Sequence, residues 1–268
     1  YQIILLGIIQ GITEFLPISS SAHLVIIPEI FNWKDQGIVN DIAVHIGTLG
    51  SVLIYFRKDI ISILFDIKLS VFQRKSNQDF LYIKIIISTL PAILVGFIVY
   101  NYFIEYFRNV ELIAYSCIFF AIILYFSDNY SGISSKSWSN ISFFDAFIIG
   151  IFQCFAFIPG ASRAGVVITG SRLIGLSRES SAIYSILLSI PIIFASLILT
   201  LPDLFNEELN NYSFIQIIIT TLVSFITAIL SIKFMITLVK KSSYAIFAFY
   251  RIILGIIFIT SISPITSV

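Results

Sequence analysis

The sequence predicts an all-α integral membrane protein with six transmembrane helices and two re-entrant helix hairpins in an inverted-topology repeat. Three observations predict it. The first is composition: of 268 residues, 58% are hydrophobic and 12% charged, with a mean hydropathy of +0.99. Soluble domains carry about 45–50% apolar and about 25% charged residues. The second is a pair of apolar stretches, each cut in two by proline, whose pieces fall short of the ~20 residues a span needs. The third is the placement of the basic residues. The net charge of +1 implies no nucleic-acid partner. Cys117 and Cys154 both lie in apolar stretches and read as packing residues.

Taken in order, residues 3–30 are two short apolar pieces around Pro17, a re-entrant pair. The chain opens at Tyr1 without Met, so a few preceding residues are expected. A signal-peptide reading of this stretch, with SSSA as the cleavage site, lacks the basic n-region. Residues 31–40 are polar, and 41–56 extend a helix begun near Ile38 that carries Asp41 and His45 at its start. Residues 57–79 form a basic loop with an amphipathic middle. Spans follow at 80–104 and 110–126, then a Ser-, Asn- and Gly-rich loop at 127–142. Residues 143–169 are again two short apolar pieces, broken at Pro159-Gly160. Three further spans cover 181–201, 213–236 and 244–266.

Lys and Arg cluster on the cytoplasmic side of membrane proteins. With 57–79 inside, the loops 57–79, 127–142, 170–180 and 233–243 hold eleven Lys/Arg. The loops 31–40, 105–111 and 202–212 hold two, and 202–212 is acidic through Asp203, Glu207 and Glu208. Both termini then lie outside. GIIQGITEFLPISSSAH at 7–23 matches GIFQCFAFIPGASRAG at 150–165, pairing Gln10 with Gln153 and Pro17 with Pro159, with Ser20 near Ser162. Residues 1–268 are thus one membrane domain, with repeat one at 1–126 and repeat two at 143–268. In inverted repeats of this kind the site lies near the midplane, where the broken segments meet. That architecture also serves secondary transporters and lipid flippases, which stand as the alternative function.

The first hairpin tip, QGITEFLPISSSAH, concentrates polar groups where each unsatisfied one costs several kcal/mol. Polar residues kept at membrane depth are functional candidates. Gln10 and Glu14 are four apart and share a helix face, as ligands of a hard divalent cation or as a packed polar stripe. Ser19, Ser20 and Ser21 offer hydroxyls. His23 is either a hydrogen-bonded packing residue or a nucleophile or general acid. In the second tip, PGASRAG at 159–165 offers Gly160, Ser162 and Arg163 at a helix start. Free N–H groups there bind anions and Arg grips phosphate bidentately; the alternative is a turn with a snorkelling Arg. Asp41, His45, Glu179 and Arg251 are weaker candidates. Ser177 reads as the N-cap ahead of Glu179.

On these residues the chain resembles the undecaprenyl-pyrophosphate phosphatase family of bacterial membrane enzymes, the bacitracin-resistance type. The family's first motif looks like Gln10, Glu14, Pro17, Ser19, Ser20 and His23, and its second like Pro159, Gly160, Ser162, Arg163 and Gly165. HIGTLGSVLIYFRKDI at 45–60, TLPAILVGF at 89–97, SILLSIPI at 185–192 and YRIILG at 250–255 extend the similarity. The chain departs from the pattern at Ala22, where Gly is usual, at Ala164, where Ser is usual, and at Val167, where Thr is common.

The resemblance implies a hydrolase that converts a C55 polyprenyl pyrophosphate to the monophosphate lipid carrier and inorganic phosphate. The carrier is recycled for cell-wall polymer synthesis, and bacitracin resistance goes with this activity. Glu14, Ser20, His23 and Arg163 would be catalytic. Gln10, Ser19, Ser21, Gly160, Ser162 and Arg163 would bind substrate. Gln10 and Glu14 would hold Mg²⁺ or Ca²⁺. The attacking group stays open among Ser20, His23 and water. The implied location is the bacterial inner membrane, with the active site facing the periplasmic side. The implied partners are the lipid substrate and membrane lipids; a homodimer is neither required nor excluded by the residues.

Overall fold

The computed structural model describes residues 1–31, 33, 37–73, 80–102, 110–204 and 214–262. Several cations and acids of the expected loops (Lys34, Arg74, Lys75, Arg108, Glu207 and Glu208) lie outside these residues. Among the described residues the architecture is all-α, and the one β contact is an isolated bridge between Lys136 and Leu176.

The helices are α1 (Gln2–Thr13), α2 (Ser20–Ile30), α3 (Gly37–Tyr55), α4 (Arg57–Gln73), α5 (Leu81–Tyr102) and α6 (Val110–Ser131). They continue with α7 (Phe143–Cys154), α8 (Arg163–Leu173), α9 (Arg178–Leu204), α10 (Phe214–Val239) and α11 (Ala245–Ile262). Short 3₁₀ turns lie at Trp138–Asn140 and Phe155–Phe157. Five described helices (α3, α5, α6, α9 and α10) are long and apolar enough to cross a membrane by length and composition. The sixth expected span, 244–266, falls on α11 as far as the described residues reach, and its apolar stretch Ala245–Thr260 ranks with the shorter helices rather than with those five. Part of the expected basic loop at 57–79 is helix α4.

The two broken stretches appear as the paired short helices α1/α2 and α7/α8, of 12 and 11 residues in each pair. At 1.5 Å per residue each is about 17–18 Å long, short of the ~30 Å hydrocarbon core. α1 packs on α10 and α7 packs on α5, while α3 meets α9 and α6 meets α11. Glycines permit the close approaches: a Cβ built on Gly11 would lie 2.6 Å from the Ser224 carbonyl oxygen, and one on Gly47 2.4 Å from that of Thr221. Hydroxyls tie the helices together, with Ser224 Oγ donating to the Val44 carbonyl (2.8 Å) and Ser231 Oγ to that of Ile12 (2.7 Å). Small and hydroxylic contacts of this kind hold helices where lipid is as apolar as leucine. The outer surface is apolar accordingly, with Leu94, Phe97, Phe119 and Ile226 all more than half exposed.

One buried charge cluster pins four elements. Asp128 of α6 accepts from Arg172 Nε of α8 and Arg178 Nε of α9, both at 2.9 Å, and from the Tyr244 amide at the start of α11 (3.0 Å). Arg172, counted above with the loop cations, is helical and fully buried. Its charge is neutralised within the fold and contributes little to the side-to-side asymmetry. Ser177 caps α9 as its sequence suggests, its Oγ accepting from the Ser180 amide at 3.1 Å.

Candidate active site

The first tip forms because α1 ends at Thr13 and the chain turns through Glu14–Ile18 before α2 begins. Pro17 cannot donate into a continuing helix. Ser19 takes φ +70°, outside the region most side chains adopt. The second tip runs through Phe155–Phe157 to Gly160 (φ +89°) and Ser162 (φ +69°). A Cβ on Gly160 would lie 2.3 Å from the Ile113 carbonyl oxygen, so only glycine fits there. Ser162 caps α8, its Oγ accepting from the Gly165 amide at 3.2 Å. Ser116 Oγ donates to the Pro159 carbonyl behind it.

The tips meet at an ion pair. Arg163 Nη2 lies 2.7 Å from Glu14 Oε1, and both side chains are nearly buried. Arg163 Nη1 donates to the Ser185 carbonyl at 2.9 Å, and Nη2 reaches the Glu14 carbonyl at 3.3 Å. Glu14 Oε2 accepts from Gln10 Nε2 (2.9 Å) and from Ser20 Oγ (3.1 Å). The carboxylate therefore has three side-chain donors. A guanidinium has five N–H donors, so two of those on Arg163 remain for a ligand.

A cavity of about 190 Å³ opens on this pair. Its polar wall is Glu14, Ser20, Ser21, His45, Gln153, Ser162, Arg163 and Ser196. Ala92, Ala156, Phe157, Ile192 and Ile193 supply an apolar wall. This is room for about six waters, suited to a small anionic group and not to a long chain. Pro91 and Pro191 sit beside lining residues within α5 and α9. Each proline removes one backbone hydrogen bond from its helix at that level.

Of the expected site residues, Glu14, Ser20, Ser21, Ser162 and Arg163 share the cavity. Gln10 is fully buried behind Glu14. Ser19 is 1% exposed; its Oγ lies 3.2 Å from Ser21 Oγ and accepts from the Ala22 amide. Gly160 stands behind the second tip, its carbonyl held by Arg251 Nη2 at 2.8 Å. The same Nη2 donates to the Ala161 carbonyl at 2.9 Å. His23 does not line the cavity. Its Nδ1 lies 2.8 Å from the Ser19 carbonyl and its Nε2 2.7 Å from Tyr250 Oη. A carbonyl only accepts, so Nδ1 carries the proton, and Tyr250 donates to the neutral Nε2. Asp41 and Glu179 stay outside the cavity, Glu179 pairing with Lys240 at 3.0 Å.

Three further residues take part: His45, a weaker candidate by sequence, and Gln153 and Tyr250, which sequence reading did not single out as site residues. His45 Nδ1 lies 2.6 Å from the Asp41 carbonyl, so Nε2 is the acceptor that faces Gln10 Nε2 at 3.3 Å. Gln153 lines the cavity and donates to the Ser88 carbonyl at 3.0 Å. Its alignment with Gln10 was the available signal. Tyr250 carried none.

The oxygens fit a divalent cation as a partial set. Gln10 Oε1 is buried without a hydrogen-bond partner among the described residues, while Nε2 of the same amide donates to the Glu14 carboxylate, which also accepts from the Ser20 hydroxyl. Among the described residues no group of three His, Cys, Asp or Glu could hold a metal by itself. Mg²⁺ typically binds in just this way, through one or two carboxylates completed by substrate phosphates.

The chain is also similar in sequence to known proteins. A model of the family described as "Bacitracin resistance protein BacA" matches residues 3–257. A protein of Vesicomyosocius okutanii named undecaprenyl-diphosphatase is 40% identical over 257 residues, covering 95% of this chain and 97% of its own length. One of the same name from Saccharophagus degradans is 40% identical over 252 residues, 94% of each chain. Another from Campylobacter curvus is 38% identical over 256 residues, 95% of this chain and 96% of its own.

Proposed function

This chain belongs to the bacitracin resistance protein BacA family, and from that premise we infer that it is an undecaprenyl-diphosphatase. It hydrolyses undecaprenyl pyrophosphate to undecaprenyl phosphate and inorganic phosphate, as a multi-pass membrane protein. The observation that carries the reading is the hydrogen bond from Ser20 Oγ to Glu14 Oε2, 3.1 Å long, in a cavity that Arg163 also lines. Nucleophile, base and anion-binding group thus converge on one small space.

In this mechanism the pyrophosphate enters the cavity and the polyprenyl chain stays in lipid. Arg163 offers its two remaining N–H donors to the terminal phosphate, joined by the free amides at the α8 N-terminus. Glu14 takes the Ser20 proton as Oγ attacks the terminal phosphorus. The bond from that phosphorus to the bridging oxygen breaks, and its electron pair leaves with undecaprenyl phosphate. Glu14 passes its proton to solvent, takes one from the water that attacks the phosphoserine, and gives it to the departing Ser20 Oγ, which frees inorganic phosphate and restores both Ser20 and the carboxylate. Such chemistry is mostly positioning and charge stabilisation. Glu14 and Gln10 would hold Mg²⁺ or Ca²⁺, whose charge would offset that of the phosphates.

Ser20 is favoured over His23 because Ser20 faces the cavity, while both ring nitrogens of His23 are engaged behind it. His23 is a positioning residue here, holding the strained Ser19 backbone. The proposed architecture is an inverted repeat, supported by the equal helix lengths of the two pairs and by φ near +70° at both Ser19 and Ser162. The proposed location is the bacterial inner membrane with the cavity toward the outer side, supported by the Lys/Arg distribution. In a cysteine-free background, an impermeant reagent added outside should label Asn206→Cys and spare Ser135→Cys; the reverse pattern would refute the orientation. Phosphate release from C55 polyprenyl pyrophosphate by purified protein, with and without chelator, tests the activity. Turnover that a chelator abolishes and Mg²⁺ or Ca²⁺ restores is expected. No release under any condition would refute hydrolysis.

A further inference from the structure

Lys84, Arg163, Arg172 and Arg251 are helical cations drawn in from the surface, and Arg172 has Asp128. Arg163 has Glu14, and Arg251 holds two carbonyls. Lys84 has neither. It is 5% exposed, and among the described residues its ammonium makes no hydrogen bond or ion pair. Its one close partner is the Phe143 ring, 5.7 Å from Nζ to centroid. A buried ammonium without an anion is costly.

Lys84 lines a cavity of about 340 Å³ between α5 and the start of α7, with Phe80, Asn140, Ser142 and Phe143. Among the described residues the polar groups around it are engaged with one another and offer Lys84 no anion. Asp145, the nearby carboxylate, is taken by Lys136 Nζ (2.8 Å) and the Ser142 amide (2.7 Å). Ser142 Oγ is taken by the Asp145 amide (3.0 Å), so the α7 N-terminus is already capped. Asn140 Oδ1 accepts from Ser139 Oγ (3.2 Å), which leaves Nδ2 free to donate. The rim is aromatic and exposed, with Phe80 at 42% and Phe143 at 47%.

We propose that this cavity is a headgroup site for an anionic phospholipid of the surrounding leaflet. Lys84 Nζ and Asn140 Nδ2 bind its phosphate oxygens, and the aromatic rim receives the start of its acyl chains. Basic pockets between membrane helices at the interface recognise anionic headgroups in this manner. Lys84 stands one turn into α5, near the end of the helix where a headgroup would meet it. The site is separate from the catalytic cavity. Lys84 precedes Ala92 in α5 by about 12 Å of helix, and Phe143 precedes Gln153 in α7 by about 15 Å. The aromatic rim favours a lipid over a free phosphate ion, which has no use for it. The proposal rests on membrane embedding and not on the hydrolytic reading, so its test needs no turnover.

The experiment is native mass spectrometry of full-length protein with a phosphatidylglycerol and phosphatidylcholine mixture. Bound phosphatidylglycerol should fall about fivefold in Lys84→Met, the factor expected for one lysine at a membrane surface. Lys84→Arg should keep it, and Lys58→Met, at an exposed position, should leave it unchanged. Millimolar inorganic phosphate should not displace the lipid. Equal retention in Lys84→Met, or equal loss in Lys58→Met, would overturn the site. Displacement by inorganic phosphate would overturn the lipid as its occupant.

Discussion

Ser19 and Ser162 each stand one residue before a short helix, with φ of +70° and +69°. Each Oγ accepts from the amide three residues on, Ala22 in one case and Gly165 in the other. Each carbonyl accepts from the amide four residues on, His23 and Val166. The backbones of the two tips are built alike, yet the next residue differs: Ser20 after the first serine, Arg163 after the second. One turn geometry thus presents a hydroxyl beside a carboxylate from one side and a guanidinium from the other. The bracing differs as well. The first tip is held by His23, which Tyr250 orients; the second by Arg251, the next residue of α11. Residues held off the favoured backbone regions persist only when their surroundings over-determine them, and α11 supplies part of that support to both tips.

If the two tips divide the chemistry this way, removing the first tip's hydroxyl should do the most damage. Ser20→Ala is expected to lower kcat on the order of 10³-fold or more, measured as phosphate release, with expression and melting unchanged. A Ser20→Ala enzyme with near-normal kcat would show that the tips differ in some other way. The second tip is probed by Arg163→Lys, which keeps the charge and loses the planar fork. A loss of about 10²-fold in kcat/KM is expected. Near-normal turnover would make Arg163 a structural charge only.

The braces sharpen the comparison at smaller amplitude. Tyr250→Phe removes the hydroxyl that orients His23 and leaves the Arg251 brace alone. We expect kcat to fall about fivefold with KM little changed, the size of one hydrogen bond. A raised KM with normal kcat would move Tyr250 into substrate binding. The smallest expected effect is on the tip itself. Ser19→Ala keeps the positive φ and loses the cap, and should cost about 1 kcal/mol in thermal unfolding. Ser19→Gly loses the same cap but relieves the φ, and should be the more stable of the two. The opposite order would argue against strain at this tip.

The sequence made the tips legible because polar residues are costly in apolar segments. Gln10, Glu14, Ser20 and Arg163 stand out against their surroundings for that reason alone, and prolines and glycines mark where each short helix must end. Tyr250 was illegible for the converse reason: among 26 Phe and 13 Tyr, one more aromatic in an apolar helix carries no signal. His45 reads as a helix-start residue, since its relation to Gln10 spans 35 positions and exists only once α3 packs beside α1. Helix α4 was hidden by its charges, which read as a loop. Arg172 counts among the loop cations by sequence because its partner Asp128 lies 44 residues away.

The central claim is that Ser20, activated by Glu14 and faced by Arg163, is the attacking group. The direct test is rapid quench of the enzyme with undecaprenyl pyrophosphate labelled at the terminal phosphate, followed by acid and alkali treatment of the protein. The account predicts acid-stable label on Ser20, absent in Ser20→Ala and retained in His23→Ala. Acid-labile, alkali-stable label on His23 would contradict it, as would an unlabelled protein whose Ser20→Ala variant still turns over.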